Sequence, residues 1–206
     1  MKKTLLIVLL AFLSPLTHAV MIGEIDVPDV LPRTSDTPEL QLNGASMRIL
    51  YGVVDTYVGQ LYLEEKSTDP ETILQSNTAR RMVFQSVLKR VSGRRMATAL
   101  YESLHLNTTK EEAARLEERL QNMIRMFDTR MKRGESGYIE WIPEKQVSKI
   151  VIKDEVKGYV PGKDLNDAIL RIWIGENPVS QTFKEHVLGQ KPYKSPHKKR
   201  KTGKRR

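Results

Sequence analysis

The chain has 206 residues, no cysteine, and 34 Lys and Arg against 25 Asp and Glu, for a net charge of +9. That length suits one domain with a core of its own, and the lack of cysteine excludes disulfides, thiolate metal sites, a cysteine nucleophile and a lipoprotein anchor. Nine of the cations fall in Lys191–Arg206, which holds no acid, and two more are Lys2 and Lys3, so residues 20–190 carry a net −2; the folded part has no polyanion-binding character of its own.

Residues 1–19 read as a secretory signal. Lys2 and Lys3 precede the apolar run Leu5 to Leu13, Ser14-Pro15 breaks any helix, and Thr17-His18-Ala19 supplies small residues for cleavage after Ala19. The run is too short to span a bilayer, so the expected address is the periplasm. Residues 20–40 form a lead-in with three prolines, expected to be extended, with one short edge strand at Gly23–Val27.

Two strands are expected next, Leu42–Leu50 and Val53–Glu65, with Gly52 and Gly59 at a turn or bulge. Asp69 or Pro70 opens a short helix over Glu71–Gln75. Ala79–Val91 reads as a strand with Met82, Phe84 and Leu88 on one face and Ser86 among them. Ser92 caps a helix to about Leu104, striped by Met96, Leu100 and Leu104. Thr109-x-x-Glu112 is a capping box. It opens a longer helix whose apolar face is Leu116, Leu120, Met123, Ile124, Phe127 and Met131, ended by Lys132-Arg133-Gly134. Strands follow at Gly137–Ile142, Gln146–Lys153 and Glu155–Val160. Asp164 caps a helix Leu165–Ile174 with Leu165, Ile169, Ile172 and Trp173 inward and Gly175 just past its end. Ser180 caps a last helix to Leu188, closed by Gly189. Strand clusters and helix clusters in this order predict an α+β fold, an antiparallel sheet with helices on one face.

The chemistry on offer is narrow. His105, His186 and His197 are far apart and no ligand spacing joins them, so no metal and no cofactor is expected. There is no nucleophile elbow and no glycine-rich phosphate loop. What stands out is Arg48, a permanent cation in the apolar stretch Leu42–Glu64, with Tyr51, Tyr57 and Tyr62 near it in sequence. A guanidinium and a phenol both donate to a carboxylate, and an apolar cleft beyond would take the rest of such a ligand. The other possibility is that Arg48 pairs with an internal acid such as Asp55, or extends into solvent.

The segments Gly44-Ala-Ser-Met-Arg48 and Val58-Gly-Gln-Leu-Tyr-Leu-Glu64, followed by Ile172-Trp-Ile-Gly175-x-x-Pro178-Val-Ser180 and Lys184–Gly189, resemble the chalcone isomerase-like superfamily, in its bacterial exported branch. The resemblance runs from about Gln41 to Gly189, so the expected domain is 41–189, followed by a disordered basic tail, 190–206. It implies an open-faced β-sandwich: a large antiparallel sheet under a layer of helices, with a cleft between. In the enzymes an arginine at the position of Arg48 polarises the ligand. Their helical Tyr, Lys and Asn correspond here to Met96, Ala99 and Ser103, their Thr-Met pair to Ile172-Trp173, and a strand threonine to Tyr57. Ring closure needs positioned donors that Met, Ala and Ile lack. The resemblance therefore implies a non-enzymatic protein that binds a small apolar carboxylate, such as a fatty acid, with Arg48, Tyr57, Met96, Ile172 and Trp173 around it. The alternative is an isomerase or lyase acting on an enone, with Arg48 as electrophile and Tyr57 as acid.

The tail Lys191–Arg206 suggests a separate role. It could associate with an anionic membrane or lipopolysaccharide surface through its cations, whereas nucleic acid is not expected, since Tyr193 is the tail's lone aromatic.

Overall fold

The structure, a computed structural model, describes residues 19–195; the signal segment up to residue 18 and the tail from residue 196 lie outside the described residues. The lead-in is more ordered than one edge strand. Strands β1 (Ala19–Ile22) and β2 (Ile25–Pro28) make a hairpin about Gly23, φ +64°. Both arms bury apolar side chains (Ile22, Ile25, Val27), so the turn falls inside the stretch expected as a single strand. A short β3 (Val30–Leu31) then pairs with β4 (Leu40–Leu50), which hairpins into β5 (Val54–Leu63).

Helix α1 (Pro70–Gln75) is capped by Asp69, whose carboxylate accepts from Thr72 N–H at 2.8 Å. Strand β6 (Arg80–Ser86) stops at Ser86, short of the expected Val91. Arg90–Val91 (β7) peels away to pair with Met131–Lys132 (β8). Helix α2 (Gly93–His105) starts at Ser92 as expected, and α3 (Lys110–Arg125) starts at Thr109. Glu112 does not complete the capping box; its carboxylate binds Arg171 instead. The second correction concerns the end of α3, which stops at Arg125 and does not run on to Met131. Phe127 and Met131 are buried, but by a turning chain: the Phe127 carbonyl lies against Gly93, where a Cβ would meet it at 2.0 Å. Their helical spacing is a coincidence of burial.

Strands β9 (Ser136–Ile142), β10 (Val147–Ile152) and β11 (Glu155–Pro161) form a meander. Helix α4 (Lys163–Ile174) is preceded by Gly162, not Asp164. Asp164 lies one residue into the helix, where it accepts from Leu165 N–H at 2.9 Å and takes both Arg119 guanidinium nitrogens at 2.7 Å. Gly175 follows α4 in extended conformation rather than left-handed; it is small because a Cβ would meet the Arg171 carbonyl at 2.5 Å. Helix α5 (Gln181–Val187) is capped by Ser180, and Gly189 beyond it has φ +66°.

The main sheet has seven strands in the order β11-β10-β9-β6-β5-β4-β3, with every pair antiparallel. One face carries Leu61, Met82, Ile139 and Ile150 against α2 to α5; the other carries Met47, Val58 and Tyr62 against β1, β2 and the lead-in. This is the α+β layered architecture expected, with a second, smaller core added by the lead-in. A buried network ties that cover down. Glu140, fully buried, accepts from the Arg81 guanidinium and from Thr37 Oγ1, and Asp36 binds Lys145 and Lys149, each at 2.7 Å. Those two lysines hold the Asp36 carboxyl at about 2, below its ordinary value.

Candidate functional site

Register places the site. Arg48 on β4 lies opposite Tyr57 on β5, and Tyr57 lies opposite Ser86 on β6. Directly opposed residues in antiparallel strands point to the same face, and Tyr57 packs in the helix-side core. Arg48, Tyr57 and Ser86 thus form one transverse row under the helices, about 10 Å across at 4.8 Å per strand. A bulge follows Arg48 immediately, between Arg48 and Ile49; bulges re-aim side chains and frequent functional sites.

Each member of the row has distinct bonding. The Arg48 side chain is half-buried and donates through Nη1 to the carbonyl of Ile49. Among the described residues no ion pair includes it. The Tyr57 hydroxyl accepts from Trp173 Nε1 of α4 at 2.9 Å. Burial pushes the Tyr57 phenol up, while the Trp173 bond and the Arg48 charge pull it partly back. At neutral pH Tyr57 is therefore a donor. Ser86 is 3% exposed, and its hydroxyl has no hydrogen-bond partner among the described residues. An orphaned buried hydroxyl costs about 1–3 kcal/mol, and native structures hold few of them.

The helices close over this row with aromatics. Phe183 of α5 meets Tyr57 edge-on, centroids 6.0 Å apart. Gly59, expected at a bulge, stands in regular register opposite Ser46 and Phe84; it is glycine because a Cβ there would sit 2.4 Å from the Phe183 ring. Trp173 reaches further and lines a void of about 10 Å³ beneath α4, with Leu61, Met82 and Ile139. That space holds one water, so Trp173 and its neighbours leave no room for a ligand at this point.

Of the residues the sequence singled out, Arg48, Tyr57 and Trp173 come together. Ile172 is buried next to Trp173, and Met96 packs half-buried against the same helix-side core. Tyr51 does not join them: it is 88% exposed at the hairpin tip. Tyr62 points to the other face, where it donates to Pro28 O at 2.9 Å. Sequence reasoning missed Ser86 as a site residue, although its place on the Met82–Phe84 face was legible. It also missed the neighbouring pair Ser46 and His186, joined at 3.0 Å under α5. Gly44, one turn of the pleat away, lets the α5 backbone lie on β4; a Cβ there would meet His186 O at 2.1 Å. Among the described residues no helix is long and apolar enough to cross a membrane, and no cluster of acids and histidines could hold a metal.

Residues 19–189 match the chalcone isomerase-like family, which is nearly all of the described chain. The chain belongs to that family. The solved structure of a fatty-acid binding protein from Arabidopsis thaliana is similar in fold, with a TM-score of 0.68 at 18% identity over 84% of this chain and 97% of that one. No curated protein matches the sequence.

Proposed function

We propose that the protein is an exported, non-enzymatic binder of a small apolar carboxylate such as a fatty acid, with the carboxylate held by Arg48, Tyr57 and Ser86. The observation that carries this reading is the row itself: a guanidinium without an acid, a protonated phenol and an orphaned hydroxyl in one line on the helix side of the sheet. Three donors of this kind suit a carboxylate. The fatty-acid binding activity of the Arabidopsis relative supports the ligand class. The signal-like residues 1–19 support a periplasmic address. The ligand's apolar body takes the place of Trp173 and Phe183, which fill the layer next to the row; both must turn aside, and Met96 and Ile172 belong to the core they leave.

Native mass spectrometry after gentle purification, and again after adding a long-chain fatty acid, tests the reading. One bound acid per chain is expected. Arg48→Met should weaken uptake at least tenfold, since a hydrogen bond to a charged group is worth about 1.5–3 kcal/mol. An empty protein in every arm, or uptake indifferent to Arg48 and Ser86→Ala, ends it.

A further inference from the structure

Beyond Arg48 the β4–β5 hairpin continues into solvent. Leu50, Tyr51, Val53 and Val54 make its tip, with Tyr51 88% and Val53 74% exposed. The tip is a β-turn closed by Val53 N–H on Leu50 O at 3.2 Å, with φ +52° at Tyr51 and +71° at Gly52. A turn with both central residues at positive φ favours Asn-Gly or Asp-Gly. A tyrosine there is strained, and at 88% exposure it buries almost nothing in return. A bulky apolar residue that violates local preference at an exposed apex suggests use, not packing.

A cluster of exposed cations stands beside the tip. Val87 N–H bonds Thr56 O at 3.0 Å, and Ser86 and residues 134–135 exchange bonds of 2.8 and 2.9 Å. Segments 87–90 and 132–135 therefore leave the sheet at the same end as the tip. They expose Lys89, Arg90, Lys132 and Arg133; the acids at this end include Glu135, engaged by Lys153, Glu24, which faces Arg133 at 3.6 Å, Asp55 at the base of the hairpin, and Asp154 and Glu155 in the β10–β11 turn, the latter engaged by Lys157. The tail comes to this end as well. Tyr193 packs edge-on to His186 at 5.4 Å and half-buries against the lead-in core. The charge of Asp55, at the base of the hairpin, acts on its phenol. Lys194, next in the chain, is thus placed near the hairpin, and seven more cations follow it in sequence.

We propose that this end of the molecule docks on an anionic lipid bilayer, with the Leu50–Val54 tip in the boundary between headgroups and acyl chains and the surrounding cations and tail on the headgroups. Stable interfacial binding takes two signals, apolar insertion and a polybasic patch, and both are here at one end. A nucleic acid would satisfy the cations and leave Leu50, Val53 and Val54 in water. A second copy would set like charge against like. Docked this way, Arg48, two residues before the tip, lies near the bilayer, although the docking itself does not depend on Arg48 binding a ligand.

Co-sedimentation of the purified protein with vesicles of phosphatidylglycerol and phosphatidylcholine, against phosphatidylcholine alone, is the test. The wild type should partition only onto the anionic vesicles. Tyr51→Asn with Val53→Thr suits the turn better than the native residues, so the fold should melt no lower, while the partition coefficient falls at least tenfold. Truncation after Ser195 should also lower it and remove its steep salt dependence. Absence of partition onto anionic vesicles overturns the proposal, as does a tip variant that partitions like the wild type. So does a tip variant that loses binding to a DNA duplex, or loses a concentration-dependent dimer, while vesicle binding is unchanged.

Discussion

Two arginines lie on or beside the helix-facing side of the sheet, and they are held in opposite ways. Arg80, on β6, is 3% exposed. Its Nε donates to Asn166 at 2.8 Å, its Nη1 to Ile73 O at 2.7 Å, and its Nη2 binds Asp167, which Lys163 also holds. Arg48, at the other end of the sheet, has one carbonyl. The same side chain is thus a finished structural tie in one place and a donor with spare capacity in the other. A buried cation tolerates the interior only when its bonds are filled within the chain or completed from outside. Arg80 illustrates the first case, and the function proposed above assigns half-buried Arg48 to the second.

The largest effect expected from breaking this contrast is at Arg80. Arg80→Met strands Asp167, Asn166 and the Ile73 carbonyl, and should cost about 3 kcal/mol in urea unfolding. A near-neutral result would mean that the tie is not one. Next comes Trp173→Phe, which deletes the donor to Tyr57. It should cost about 1–2 kcal/mol and raise the Tyr57 phenol further, read by ultraviolet titration. The pH profile sharpens the comparison from the Tyr57 side. Burial raises the phenols of Tyr57 and Tyr62 above their ordinary value, so above pH about 10 the unfolded chain releases protons that the folded chain keeps. Stability should therefore fall as pH rises from there, and Tyr57→Phe should flatten part of the slope. A slope of the opposite sign would contradict the buried phenol. The smallest stability change belongs to Arg48→Met, within about 0.5 kcal/mol by thermal melt, although the same change should do most damage to fatty-acid uptake. A loss there as large as at Arg80 would make Arg48 structural.

The sequence carried the layer architecture well, because strands Leu42–Leu50 and Val53–Glu65 and the caps at Asp69, Ser92, Thr109 and Ser180 are local signals that the tertiary structure respects. It misled where burial imitated periodicity, as at Phe127 and Met131, and where a turn sat inside an apolar stretch, as at Gly23. For the site, Arg48 was conspicuous as a charge in an apolar run. Its alignment with Tyr57 and Ser86 depends on register across two hairpins and a bulge, which no spacing in one strand reveals. Arg80 passed unremarked because Arg80-Arg81 reads as an ordinary polar strand start, and only the fold shows that one side chain faces α4 and the other faces Glu140. Tyr51 falls in the turn that the strand limits Leu50 and Val53 imply, but as an aromatic near Arg48 in sequence it groups with the site and not with the exposed surface.

The sheet's last strand has a consequence for the molecule in company. β11 is an outer margin whose pairing with β10 slips at Ile150 and Val151, and it carries Lys157, Gly158 and Pro161. A charge, an irregular pleat and a missing amide hydrogen all discourage another chain from adding on there. At the opposite margin β3 pairs with only Leu40 and Gln41, and the rest of β4 is interrupted by irregularities at Leu42/Gly44 and Arg48/Ile49. Concentrated solutions of this protein should therefore stay free of fibrils, because neither flank gives a neighbouring sheet a straight run of amides to copy.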